Sequence, residues 1–292
     1  MIRMAIITKS YAPDYELCAD LNRSVLAHSS NNVDHHILVP RSDLKLFAPL
    51  AGTRTHVRCE SEFVPRSFFA LPFRNYAVNV RRPLPPVRGW ILQQIIKLAA
   101  AASADADLVL LVDSDTEFVR TVKPESFKKD GVVRFYRKPN EIDHRLPRHV
   151  AWHQVSRRLI GLPDADPPYP DYISSLVAWD PAIVRKLLSQ IEHIGARAWP
   201  DIIGACLHFS ECILYGVFVD EFLGAPTNSH ASDRSLCHAY WDRVPLSRAA
   251  AQDFVAELAK DDIAIMISAK SGTSLSVRRG ALAGGVRSAE SR

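Results

Sequence analysis

The sequence predicts an α/β protein with a mostly parallel central sheet flanked by helices. Three observations carry this. Short aliphatic runs alternate with helix-length amphipathic segments through the first half, the pattern of successive βα units. Those runs are continuously apolar, as strands buried on both faces require. One of them, Leu108-Val109-Leu110-Leu111-Val112, stops at Asp113-Ser114-Asp115. Two carboxylates gain nothing from packing at the end of a buried strand. They fit a strand's carboxyl end that meets a cation or substrate, where open α/β sheets bind ligands.

The elements follow in order. Met4 to Thr8 is the first strand, and Glu16 to His28 a helix with Leu17, Leu21, Val25 and Ala27 along one stripe. His36 to Val39 is a strand closed by Pro40, after which Ser42 can cap a short helix through Phe47. Cys59 to Val64 reads as an edge strand, and Val80 to Arg88, with Pro83, Pro85 and Pro86, as an extended loop. Trp90 to Ser103 is a helix leading into the acidic strand. Gly131 to Tyr136 is a further strand. Lys138 to Tyr169 reads as a pocket-shaping insertion, helical near Trp152 to Leu159. Ile173 to Trp179 is a strand, and Asp180-Pro181 opens a helix to about His193, acid at the N-cap and proline at the first turn. Ile202 to Leu207 and Glu211 to Phe222 are short elements around Phe209-Ser210. Asp253 to Lys260 is helical and Ile263 to Ser268 the last strand. From Arg278 the Gly, Ser, Ala and Arg content predicts a disordered tail. One domain over residues 1–275 is expected, a ligand-binding half (1–135) followed by an acceptor-side half (136–275), with residues 276–292 as a flexible tail.

Composition narrows the function classes. With 47% hydrophobic and 23% charged residues in 292, the chain is an ordinary globular protein. A net charge of +4 is too mild to argue for nucleic acid and suits an anionic small molecule. Five cysteines without CxxC spacing argue against a disulfide framework or structural zinc and for a reducing cytoplasm. No apolar run approaches a transmembrane span.

Four blocks carry candidate chemistry. Asp113 and Asp115, brought together where the chain turns, offer hard oxygen ligands for Mg²⁺ or Mn²⁺. Trp90, Gln93, Gln94 and Lys97 share one helix face, from which Gln94 and Lys97 can reach a diphosphate. Glu211 sits among Phe209, Ile213, Leu214 and Tyr215; apolar company raises a carboxyl's pKa and equips it as a general base, and the same residue can cap the following helix. His238, between Cys237 and Tyr240-Trp241, is a packed histidine or a third metal ligand, with His230 the competing candidate.

Taken together, Trp90…Gln93-Gln94…Lys97, Val112-Asp113-Ser114-Asp115, Trp179, Phe209-Ser210-Glu211…Tyr215-Gly216 and Cys237-His238…Trp241 resemble a bacterial family of DxD proteins within the GT-A-fold nucleotide-sugar glycosyltransferases, over roughly residues 1–275. The resemblance implies a Rossmann-like GT-A sheet and a metal-dependent glycosyltransferase that moves a sugar from a nucleotide-diphosphate donor, a UDP-sugar foremost, to an acceptor hydroxyl. The acceptor would be a sugar, a lipid-linked glycan or a small metabolite. Thr8, Lys9, Ser10 and Tyr11 would hold the nucleoside. Asp113, Ser114 and Asp115 would hold the diphosphate and Mn²⁺ or Mg²⁺. His238 would be a later metal ligand, and Glu211 the base of an inverting reaction. Ser210-Glu211-Cys212 departs from the two adjacent acids common at that position.

Two rivals stand beside this reading. Val112-Asp113-Ser114-Asp115-Thr116 also resembles the first motif of haloacid-dehalogenase-type phosphatases, with Asp113 as nucleophile and Lys260-Asp261-Asp262 as a later acidic motif. A non-catalytic nucleotide-sugar-binding protein would keep the same pocket without turnover.

Overall fold

Each aliphatic run sends alternate side chains to opposite faces of one sheet, and each face has its own core. The structure, a computed structural model, describes residues 1–71, 76–224 and 229–290. In chain order the first half holds β1 Met4–Lys9, α1 Tyr15–His28, β2 Val33–Val39, α2 Leu44–Phe47 and β3 Thr55–Cys59. A small antiparallel sheet follows, β4 Phe68–Ala70, β5 Tyr76–Asn79 and β6 Arg82–Arg88. Then come α3 Gly89–Ser103, β7 Leu108–Val112, β8 Thr116–Phe118, β9 Lys128–Lys129 and β10 Val132–Tyr136. The second half holds β11 Lys138–Ile142, α4 Pro147–Ile160, β12 Tyr169–Asp171, β13 Leu176–Trp179, α5 Pro181–Gly195, α6 Trp199–Gly204 and α7 Glu211–Val217. It closes with β14 Ser229–Ser232, β15 Cys237–Tyr240, α8 Arg248–Ala256, β16 Ala264–Ile267 and α9 Leu275–Glu290.

The central sheet runs β13-β7-β1-β2-β3, parallel throughout except for β13, which is antiparallel to β7. Ala5, Ile7, Val109, Leu111, Val177 and Trp179 face one core. Met4, Ile6, Leu108, Leu110, Val112 and Leu176 face the other. This two-sided burial is what the unbroken aliphatic runs encode. The α/β class with a mostly parallel, helix-flanked sheet is therefore as the sequence predicts. A second sheet, β15-β16-β8, continues from the strand that follows the acids. Among the described residues no helix is long and apolar enough to cross a membrane.

The differences from the sequence reading have physical causes. The strand expected over Cys59–Val64 ends at Cys59, because the Glu62 carboxylate accepts the Cys59 N–H at 3.0 Å and turns the chain into a helical turn, Glu60–Phe63. The proline-rich stretch is a strand after all. β6 pairs with β5 alone, and an outer strand tolerates prolines. The segment expected to be a loose tail is helical: α9 runs from Leu275 to Glu290. Arg278 is buried, donating to the carbonyls of Ile267, Ser268 and Thr273, and Arg279 reaches Asp20 and Glu16 on α1 at 2.7 Å each. The Asp180 carboxylate does cap α5, accepting the Ala182 N–H at 2.7 Å. The insertion is a β11–α4–β12 unit closed by its own antiparallel pair.

Candidate active site

From β1 the chain moves outward to β2 and β3, then returns through α3 to β7 on the other side of β1. Strand order therefore reverses between β1 and β7. The crevice beyond their carboxyl ends is where an open α/β sheet takes its ligand. Ser10 and Tyr11 leave β1 there, and Asp113-Ser114-Asp115 leave β7. Ser114 Oγ donates to Ser10 Oγ at 3.0 Å, and both serines are buried, so the two strand exits are tied together. Thr116 N–H donates to the Asp113 carbonyl at 3.2 Å, closing the turn that brings both acids to one side.

The two acids differ in state. The Asp113 side chain is 60% exposed and accepts from Lys97 Nζ at 3.0 Å. The Lys97 ammonium holds this carboxyl below its ordinary range, with help from Lys270. Asp115 is half-buried and accepts the Ala269 N–H at 2.6 Å. Burial, and then the neighbouring Asp113 charge, push its carboxyl up to about 6. Burial and Asp113 also raise Asp14. Negative charge is crowded here. Hard carboxylate oxygens in this number suit Mg²⁺ or Mn²⁺, which bind through one or two carboxylates and complete their shells with water and phosphate oxygens.

Glu211 begins α7 with its side chain 6% exposed, and its carboxylate lies 3.6 Å from Lys97 Nζ. Burial raises its pKa while Lys97 opposes the rise. Lys97 thus bridges Asp113 and Glu211. Burial works against its charge, but the two carboxylates outweigh burial and keep the ammonium's pKa above ordinary.

Helix α3 places all of this. Gln94 Oε1 accepts the Glu211 N–H at 2.7 Å, Gln94 Nε2 donates to the Phe209 carbonyl at 3.2 Å, and Trp90 Nε1 donates to the same carbonyl at 3.1 Å. The polar stripe is a clamp on the turn before α7. Gln94, expected to contact a diphosphate, is buried with both ends of its amide engaged by backbone. On the other wall, Thr8 is turned into the protein, its Oγ1 3.0 Å from His35 Nε2. Lys9 pairs with Glu60 at 3.2 Å, and Tyr11 is exposed at the mouth of the crevice.

The structure brings together Ser10, Tyr11, Lys97, Asp113, Ser114, Asp115 and Glu211. It does not bring His238 to the acids. That ring stacks on Phe254 of α8 at 4.0 Å, with Nε2 buried. β15 is separated from β8 by β16. His230 lies exposed on β14, paired in register with Arg134. Among the described residues no three His, Cys, Asp or Glu side chains form a metal-ligand group. The packed reading of His238 is the one the geometry shows. Asp261 and Asp262 precede β16, whereas Asp115 meets its far end at Ile267 and Ala269. They therefore cannot complete a phosphatase site around Asp113. Ala269, Lys270 and Arg278 escaped the sequence reading. The signal was the Ser-Ala-Lys-Ser-Gly-Thr run directly after the last aliphatic strand.

Comparisons with known proteins add a family and little else. No curated protein matches the chain. Among solved structures, the crystal structure of an active-site mutant of LgtC is similar over 96% of this chain and 95% of that one, at 16% identity and a TM-score of 0.46. A likeness that distant says nothing about the site. The model of a family of unknown function, DUF6492, matches residues 1–250, and the chain belongs to that family.

Proposed function

We propose that this chain is a metal-dependent glycosyltransferase that moves a sugar from a nucleoside-diphosphate donor to an acceptor hydroxyl, with inversion. The observation that carries the reading is the Asp113/Asp115 pair at the strand-order reversal, with a buried carboxylate, Glu211, joined to it through Lys97. The resemblance of the ordered sequence blocks to nucleotide-sugar glycosyltransferases points the same way.

Asp113 and Asp115 are the residues to hold Mn²⁺ or Mg²⁺, which when bound neutralises charge on the departing diphosphate. Lys97 keeps Asp113 ionised and ready to ligate. Tyr11, at the mouth of the crevice, is placed to receive the nucleoside of a UDP-sugar. Glu211 takes the proton of the acceptor hydroxyl. As it does so, the acceptor oxygen bonds to the anomeric carbon, and the bond from that carbon to the phosphate oxygen breaks on the opposite face. A carboxyl whose pKa burial has raised is a better base near neutral pH than an ordinary one. The β11–α4–β12 insertion, packed on α7 with Trp152 stacked on Trp90 at 6.3 Å, borders the acceptor side.

The test is thermal denaturation with Mn²⁺ and UDP, ADP or GDP, separately and combined. A stabilisation that needs metal and nucleotide together, and that Asp115→Asn abolishes, supports the reading. No joint stabilisation with any of the three nucleotides rejects it. Phosphomonoester hydrolysis lost on Asp113→Asn would put the phosphatase in its place. Donor binding indifferent to Glu211→Gln, with no transfer, would leave a binding protein.

A further inference from the structure

We propose that Trp90, His149 and Asp171 form the acceptor subsite of the candidate active site, and that the acceptor is a saccharide whose ring lies on the indole and whose hydroxyls bond to His149 and Asp171. The inference rests on the glycosyltransferase reading and adds to it the class of acceptor and the side chains that hold it.

These side chains come from three elements, and two lines of contact lead from Trp90 to Glu211. One runs along α3. Trp90 Nε1 donates to the Phe209 carbonyl at 3.1 Å, and Gln94 joins that carbonyl to the Glu211 N–H. The other runs through the insertion. Trp90 stacks on Trp152 of α4 at 6.3 Å, and Trp152 meets the His149 ring edge-on at 4.7 Å. His149 in turn feels Asp171 of β12: burial lowers its pKa, and the Asp171 charge opposes the fall. The residues on either side hold Asp171 between α4 and α7, because the Pro170 carbonyl oxygen is 3.0 Å from His153 Nε2 and the Tyr172 ring packs on Gly216. Cys212, directly after Glu211, lies one turn before Gly216 on the same face of α7. Burial and then the Glu211 charge push the Cys212 thiol up; Lys97 opposes this, and Asp113 and Asp171 add to it. Three carboxylates therefore act on one side chain.

What these groups leave unused is what a saccharide takes. Trp90 is 38% exposed, and its tether to Phe209 holds the ring in place. The apolar C–H face of a sugar packs on such an indole. Asp171 and His149 are half-buried and keep contact with solvent. Asp171 Oδ1 accepts the Ile173 N–H at 3.0 Å, and among the described residues no side chain donates to its carboxylate. Lys138, opposite it in register, pairs instead with Glu141 at 2.9 Å. The His149 ring nitrogens make no hydrogen bond among the described residues. Arg148, exposed and without an ion pair among the described residues, lies over Trp152 at 4.7 Å and Trp90 at 5.9 Å, a further donor at the rim. A carboxylate, an imidazole and a guanidinium beside an aromatic pair offer acceptors and donors together, as a ring of hydroxyls requires. An alkyl chain would strip water from those groups and replace none of its hydrogen bonds. A small anion beside Asp171 would be repelled by it, and by Glu211 and Asp113 beyond.

The experiment is a ligand-observed NMR titration of the full chain. The probes are the methyl glycosides of glucose, galactose, mannose and N-acetylglucosamine, and octanoate, each with and without Mg²⁺ and UDP, ADP or GDP. At least one glycoside is expected to bind, and octanoate is not. Asp171→Asn should weaken the glycoside by about tenfold or more, because a neutral amide replaces a charged acceptor of nearly the same shape. Trp90→Ala should weaken it as much. Trp90→Phe keeps a ring but loses the bond to Phe209, and should retain most of the binding. The proposal is overturned if no glycoside binds, if octanoate binds in their place, or if Asp171→Asn binds as tightly as the wild type. It is overturned equally if Trp90→Phe loses as much as Trp90→Ala, since the indole would then act only as a clamp on Phe209. The glycosyltransferase reading fails separately. If glycosides bind with this dependence on Asp171 while metal and nucleotide give no joint stabilisation, the saccharide site stands and the transfer reaction does not.

Discussion

Replacing Lys97 by Met isolates the electrostatics of the candidate site without any substrate. The side chain is 18% exposed and its ammonium serves two carboxylates, Asp113 at 3.0 Å and Glu211 at 3.6 Å. Asp113 is well exposed and falls back on water when the lysine is lost, so it contributes little. Glu211 has no such recourse. With an effective dielectric of about 20, a unit pair at the Glu211 separation is worth about 5 kcal/mol before desolvation. The realised loss has a ceiling, because Glu211 can instead take up a proton. From its ordinary value of 4.5, protonation costs about 3.4 kcal/mol at pH 7 and about 0.7 kcal/mol at pH 5. Lys97→Met should therefore lower stability by about 2–3 kcal/mol at pH 7, and the deficit should shrink to under about 1 kcal/mol at pH 5. Glu211→Gln in the same background should recover most of it. Urea denaturation of the wild type, both single variants and the double variant at the two pH values gives the coupling directly. A coupling below about 0.5 kcal/mol at pH 7, or a deficit that does not change with pH, would refute the bridge.

Two further outcomes follow from other parts of the molecule. His35 is fully buried between Asn22 Oδ1 at 2.9 Å and Thr8 Oγ1 at 3.0 Å, and burial lowers its pKa from 6.5 to about 3. The unfolded chain then binds a proton that the folded chain refuses between those two values, so stability falls as pH drops from about 6.5 towards 3, by about 2 kcal/mol at pH 5 from this group; equal urea-stability slopes over pH 6.5–4.5 for the wild type and His35→Gln would contradict it. Gly216 lies in α7 against Tyr172, and an added Cβ would sit 2.2 Å from the ring's Cγ. The Tyr172 hydroxyl donates to Asp220 at 2.7 Å, so the ring cannot swing aside freely, and Gly216→Ala should cost about 3 kcal/mol, read as a lower calorimetric melting temperature; an unchanged melt would show that the helix yields instead.

The parts of this protein that local chemistry decides are the parts a reader of the sequence can find. The buried strands announce themselves because a residue flanked by apolar neighbours on both sides has no solvent face. Asp113 and Asp115 stand out because nothing in packing explains them. Gln94 shows where that logic ends. Its position on a polar stripe is legible, but whether the stripe meets a ligand or the carbonyl of Phe209 depends on how α7 returns to α3. The prolines of β6 mislead for a related reason, since only tertiary structure says whether a strand is an outer one. His238 and the 278–290 stretch err in opposite directions. The histidine has a suggestive chemistry but is packed on Phe254, whereas Arg278 and Arg279 look like solvated tail and are instead fastened to Ser268 and to α1. Side chains near the middle of the strand set were read more surely than those whose partners come from distant segments.

Helix α3 also acts as a ruler. Gln94 grips the first residue of α7, and Lys97, three positions further on, grips the exit of β7. Those two landmarks come from opposite halves of the chain, yet their separation is referred to neighbouring rungs of a single rigid rod. Loops elsewhere can lengthen or drift without altering it. A change of even one residue in the α3 register would rotate one grip away from its target and destroy the calibration. The separation of Asp113 and Glu211, spanned by the Lys97 ammonium, is set by that one helical spacing.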